Sequence, residues 1–68
     1  MEKLYMYLDD GRIEWEDMIL FTSEKEAIEF SKERPNGRVE IFIKSSKGFV
    51  PSYAYIRNGV YTIGSELK

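Results

Sequence analysis

Residues 38–63 read RVEIFIKSSKGFVPSYAYIRNGVYTI, and two interlocked patterns run through them. Val39, Ile41, Ile43, Val50, Ala54, Ile56, Tyr61 and Ile63 fall on one phase of a two-residue repeat. Phe42, Phe49, Tyr53, Tyr55 and Val60 fall on the other, mixed with Arg38, Glu40, Lys44, Arg57 and Thr62. A strand sends successive side chains to opposite faces of its sheet. The first set therefore predicts a core face. The second predicts a face that is half aromatic and half charged, where a plain solvent face would be polar.

The same stretch marks its own turns. Arg38 to Lys44, rich in β-branched and aromatic residues, predicts a strand. Ser45-Ser46-Lys47-Gly48 reads as a four-residue loop. Phe49 to Arg57 predicts the next strand, with Pro51 calling for an edge position or a bulge. Asn58-Gly59 is a type I′ hairpin signal, because that turn needs positive φ at both central residues. It sets Arg57 opposite Val60, Ile56 opposite Tyr61, Tyr55 opposite Thr62 and Ala54 opposite Ile63.

Upstream, Ser23-Glu24-Lys25-Glu26 is a capping box that opens a helix. Glu24 and Glu26 in the first turn, with Lys32 and Arg34 in the last, suit the helix dipole. Ala27, Ile28 and Phe30 form a narrow apolar stripe. Arg34-Pro35 ends the helix, since proline disfavours helical geometry in the residue before it. Leu4, Met6 and Leu8 alternate with Tyr5 and Tyr7, which predicts a first strand. Asp9-Asp10-Gly11-Arg12 then reads as a two-residue hairpin turn, pairing Leu8 with Ile13 and Met6 with Trp15. On that register Trp15 falls on the core phase with Leu4, Met6, Leu8 and Ile13 and reads as a core plug, with an interface anchor as the alternative, while Tyr7 faces Glu14 and Tyr5 faces Glu16. Met18 to Phe21 is a short apolar run, read as extended. Residues 64–68 read as a frayed tail.

The expected fold is α+β: a single antiparallel β-sheet in the order β-β-α-β-β-β, with one helix packed on one face. It is one small domain of 68 residues. A helix of about eleven residues spans about 16 Å and covers part of a five-stranded sheet.

Composition narrows the function classes. The chain is 43% hydrophobic and 15% aromatic, a globular balance. It has no Cys and no His. Disulfide staples, thiolate metal sites and the commonest neutral-pH general base are therefore missing. No apolar run reaches the length of a membrane span. Met1-Glu2-Lys3-Leu4-Tyr5 lacks the basic-then-apolar order of a signal peptide, so the expectation is a soluble, intracellular protein. The net charge of −2 hides a split. Residues 1–34 carry five Lys/Arg against ten Asp/Glu, a charge of −5; residues 35–68 carry five against two, a charge of +3, and the two sum to −2.

Candidate sites are few. Phe42, Tyr53 and Tyr55, with Arg38 and Arg57 at the rim, form an aromatic-basic sheet face of the type enriched at protein interfaces. Single-strand nucleic-acid platforms use the same residue types, stacking bases on aromatics and holding phosphates with cations. The structural alternative is that these rings pack only on each other and on the stems of Lys and Arg. Asp9, Asp10, Glu14, Glu16 and Asp17 are an acidic cluster, but their spacing matches no EF-hand loop, so they read as turn formers and a solvated strand face. No serine has a histidine to activate it, and Lys47-Gly48 is not a phosphate-binding loop. No catalytic, metal or cofactor site is expected, and no small-molecule substrate.

Three segments resemble short uncharacterised proteins encoded by large DNA viruses of protists. They are Phe21-Thr22-Ser23-Glu24-Lys25-Glu26-Ala27-Ile28-Glu29-Phe30, Arg38-Val39-Glu40-Ile41-Phe42, and Pro51-Ser52-Tyr53-Ala54-Tyr55-Ile56-Arg57-Asn58-Gly59. The resemblance spans residues 21–59. It implies a small viral protein, placed in the host-cell cytoplasm or the virion, and brings no activity or catalytic residue. The expectation from the chain as a whole is a non-enzymatic interaction module binding a protein partner or a second copy of itself. Single-stranded nucleic-acid binding through the same face is the alternative.

Overall fold

The computed structural model describes residues 2–9 and 14–63. In chain order it contains strand β1 (Lys3–Asp9), a 3₁₀ turn (Trp15–Asp17), β2 (Ile19–Phe21), helix α1 (Glu24–Glu33), β3 (Gly37–Ser45), β4 (Gly48–Arg57) and β5 (Val60–Ile63). The strands form one antiparallel sheet in the order β2-β1-β3-β4-β5. The predicted β-β-α-β-β-β architecture is therefore present. β2 and β3 both run antiparallel to β1, which lies between them, so α1 is the crossover joining two parallel strands.

The helix begins where its cap predicts. Ser23 is extended, and its Oγ accepts the Glu26 N–H at 3.3 Å. The Ser23 carbonyl accepts the first helical bond from the Ala27 N–H. The helix closes with the Arg34 N–H donating to the Phe30 carbonyl, one residue before Pro35. Ala27 and Ser31, one turn apart, are its buried face.

Both C-terminal hairpins follow from turn chemistry. Asn58 and Gly59 have φ of 51° and 79°, the type I′ signature, and all four predicted β4–β5 pairs are observed. The β3–β4 connection is tighter than the expected four-residue loop. Ser45 pairs with Gly48 across a two-residue turn. The Ser45 Oγ donates to the Gly48 carbonyl at 2.9 Å and accepts the Lys47 N–H at 3.1 Å. Gly48 supplies the positive φ of 116° that this turn needs.

The N-terminal hairpin expectation is corrected. β1 pairs with β2, with Tyr5 opposite Phe21, Met6 opposite Leu20 and Tyr7 opposite Ile19. Met6 therefore does not meet Trp15, and Glu14 and Glu16 do not face Tyr7 and Tyr5. Trp15 is no core plug: it sits in the 3₁₀ turn with 77% of its surface exposed. The proposed turn residues Asp10, Gly11 and Arg12, and the Leu8–Ile13 pair, lie outside the described residues, as does the tail at 64–68. The physical reason is competition between two partners for one strand. Ile19-Leu20-Phe21 is uninterrupted β-forming sequence, whereas Ile13-Glu14-Trp15-Glu16 would place two carboxylates in the ladder.

The phase of β1 is corrected with it. Tyr5 and Tyr7 are buried, and with Ala27, Val39, Ile41 and Ile56 they form the core under α1. Phe21, Ile28, Phe30 and Ala54 pack around it. Tyr7 meets Phe30 edge-on at 4.9 Å, and Phe30 meets Phe21 at 5.3 Å. Pairing to β3 sets this phase, because Tyr5 lies opposite Ile41 and Tyr7 opposite Val39. Tyr61 and Ile63 share the helix side but are 47% and 54% exposed, since ten residues of helix do not reach the last strand. No helix among the described residues is long and apolar enough to cross a membrane.

Candidate interaction face

With Tyr5, Tyr7, Val39, Ile41 and Ile56 turned toward α1, alternation sends their neighbours to the other face. One row there crosses all five strands: Leu20, Met6, Glu40, Tyr55 and Thr62. A second row places Leu4 beside Phe42 and Phe42 beside Pro51. Leu20 is 58% exposed. Leu4, Met6, Phe42 and Tyr55 are half-buried. Leu8, at the end of this layer, is buried.

Charge is concentrated at one end of the face. The Arg38 Nε lies 2.6 Å from the Glu40 Oε2, a charge-assisted bond between residues two apart on the same face. Val39 pairs with Ile56, so the next step along the ladder sets Arg57 beside Arg38. At the opposite end Lys44 pairs with Phe49, its Nζ lying 5.5 Å from the ring centroid and 3.5 Å from a Glu2 carboxylate oxygen. The middle of the face is aliphatic and aromatic around a single carboxylate, Glu40.

Of the five residues predicted for this site, Phe42, Tyr55, Arg38 and Arg57 share the face. Tyr53 stands apart. Ile41 pairs with Ala54 but Phe42 pairs with Pro51, so Ser52 and Tyr53 form a β-bulge. The Ser52 Oγ donates to the Ile41 carbonyl at 2.7 Å and accepts the Ala54 N–H at 3.2 Å, replacing part of the broken ladder. Tyr53 takes φ of 67°, an uncommon conformation for a bulky residue, and is 64% exposed. The excess is two residues, so the phase of β4 is restored beyond it. That is why the alternation of residues 49–57 remains readable through the bulge.

Leu4, Met6 and Leu20 belong to the face and were not assigned to it from sequence, whereas Glu40 follows from alternation with Phe42. Leu4 and Met6 carried the right signal, alternation, but both phases of β1 are apolar. Only its partner strand distinguishes them.

A concavity of about 600 Å³, open to solvent, is lined by Glu2, Lys3, Leu4, Tyr5, Thr22, Glu24 and Phe49. Burial, then the Glu24 carboxylate, then Tyr61, push the Tyr5 phenol above its ordinary 10.0. That phenol keeps its proton at neutral pH. In the predicted acidic cluster, Asp9 accepts the Tyr7 hydroxyl. No three acidic side chains among the described residues converge to hold a metal ion. Comparison of the chain with protein-family models, curated proteins and solved structures finds no match.

Proposed function

We propose that this chain is a non-catalytic interaction module that docks a protein on the sheet face opposite α1. The observation that carries the reading is the cluster of apolar side chains in two neighbouring rows of that face, Leu20, Met6 and Tyr55 in one and Leu4 and Phe42 in the other. A protein surface with an apolar centre complements it. Such an arrangement, an apolar middle with a polar edge, is the anatomy of a protein interface. The exposed Tyr53 on its bulge adds an aromatic anchor at the margin, a residue type enriched among binding hot spots.

Single-strand nucleic-acid binding fits the face less well. Glu40 at its centre opposes a phosphate backbone, and aliphatic Leu4, Met6 and Leu20 offer no ring for a base to stack on. Oligonucleotide titration at low and high salt separates the readings, since phosphate contacts weaken steeply as salt rises.

The test uses two exposed positions whose replacement spares the fold. Proteins captured by the wild-type chain are compared with those captured by a Leu20→Glu/Tyr53→Ser variant, and any that differ are purified and titrated. The docking reading predicts a protein whose affinity falls at least about tenfold in the variant, a loss of about 1.4 kcal/mol. Equal affinity for both chains contradicts it.

A further inference from the structure

We propose that β5 is a self-association edge, joining two copies of this chain through antiparallel pairing about a two-fold axis at Thr62. The pairing rests on the edge backbone of β5 and shares only Thr62 with the open sheet face. Among the described residues β5 pairs with β4 alone, so its other edge is the end of the sheet. Arg57 and Val60 flank a two-residue turn and exchange the hydrogen bonds of the first pair. Alternation then turns the N–H and C=O of Val60 and Thr62 toward β4, and those of Tyr61 and Ile63 outward.

Those outward groups are self-complementary. With Thr62 opposite Thr62 of the second copy, Tyr61 lies opposite Ile63 of that copy, and the reverse pair follows by symmetry. Each pair exchanges both hydrogen bonds. The side chains agree with the backbone. Tyr61 and Ile63 are on the helix side, 47% and 54% exposed because α1 stops short of them. Self-pairing lays each against the other across the axis and extends the core layer from one copy into the next. A β-branched pair meets on the opposite face.

Charge selects this edge over the other. Residues 58–65 contain no charged side chain, so the two-fold brings no like charges together. Edge strands are ordinarily protected by Lys, Pro or inward charge, and Val60–Ile63 has none of these. At the other edge β2 is three residues long and flanked by Glu16, Asp17 and Glu24. Self-pairing there would bring the acidic flanks of two copies together. The symmetric arrangement at β5 is closed, so it ends at a dimer. Three paired residues per copy bury well under the roughly 1,200 Å² of a stable complex, so the dimer dissociates on dilution.

The test is light scattering on the full chain over a wide concentration series, with Thr62→Glu and Thr62→Lys variants alone and mixed. The wild-type mass should rise toward twice the monomer. Each variant alone sets like charges face to face and should stay monomeric; an equimolar mixture should recover the dimer mass. Amide exchange at Tyr61 and Ile63 should slow at high concentration and speed up on dilution, while Val60 and Thr62 stay protected throughout. A monomer at every concentration, failure of the mixture to associate, or fast exchange at Tyr61 and Ile63 in a dimer overturns the proposal. Leu20→Glu should alter none of these readouts, so loss of this edge and loss of the open-face reading are told apart.

Discussion

The Ser31 hydroxyl accepts the Gly59 N–H at 2.9 Å while donating to the Ile28 carbonyl at 2.7 Å. One buried serine thus ties the last turns of α1 to the tip of the β4–β5 hairpin. The hairpin in turn is shaped for the contact: a Cβ on Gly59 would meet the Lys32 Cε at 2.7 Å. The tie fixes the end of the helix against that hairpin, while the β2–α1–β3 crossover sets which face the helix covers.

Replacing Ser31 with alanine leaves the Gly59 N–H without its partner. A buried unsatisfied donor costs about 1–3 kcal/mol. Urea unfolding of Ser31→Ala should show a loss in that range, with the midpoint shifted and the slope unchanged. A stability equal to wild type would mean the tie is not made in solution.

Gly37 is required for space. Its φ is unremarkable, but a Cβ there would collide with the Tyr7 phenol and approach the Leu8 carbonyl oxygen to 2.6 Å. The Leu8 carbonyl belongs to the β1 ladder and cannot step aside. Gly37→Ala should therefore destabilise the chain by at least about 1–3 kcal/mol, the usual range for overpacking. Thermal unfolding of Gly37→Ala beside Gly37→Ala/Tyr7→Phe checks the cause. Part of the loss should return when the phenolic oxygen is removed.

Tyr53 works in the opposite direction. A residue with a Cβ held at φ of 67° carries strain of about 1–2 kcal/mol. Asparagine tolerates this region better, and an exposed ring gives up little packing. Tyr53→Asn should raise the unfolding free energy by about 0.5–1 kcal/mol while weakening binding of the docked protein. Unchanged stability together with unchanged binding would remove Tyr53 from the account.

Tyr5 gives the fold a pH signature. Burial, Glu24 and Tyr61 hold its phenol above the ordinary value of 10.0. The unfolded chain releases this proton near pH 10, whereas the folded chain keeps it. Above that pH the unfolded state binds fewer protons, so stability falls as pH rises, until the folded value is passed. Denaturant unfolding at about pH 8 and about pH 11 should show a smaller alkaline loss for Tyr5→Phe than for wild type. An equal loss in both would place the effect in other groups.

How far the fold could be read from sequence depended on where each signal resides. Asn58-Gly59 and the Ser23 cap are local rules, and both elements lie where those rules put them. The β3–β4 phase was legible because only one side of Val39, Ile41 and Ile56 is uniformly aliphatic. β1 was not, because Leu4, Met6 and Leu8 compete with Tyr5 and Tyr7 as core faces, and long-range pairing with β3 settles the contest. Asp9-Asp10-Gly11-Arg12 misled because a strong local turn signal was given the pairing that Ile19-Leu20-Phe21 makes. The site divides the same way: Phe42, Tyr55, Arg38, Arg57 and Glu40 follow from alternation, while Leu4, Met6 and Leu20 needed the strand order.

The most direct test of the docking claim is an isotope-labelled chain titrated with the protein that the Leu20→Glu/Tyr53→Ser comparison identifies. Shifts at the Met6 and Leu20 methyls and the Phe42 and Tyr55 rings, with Lys25, Glu29 and Lys32 on the outer side of α1 unmoved, are the predicted result. Shifts centred on that helix surface, with Met6 and Phe42 unmoved, would contradict it.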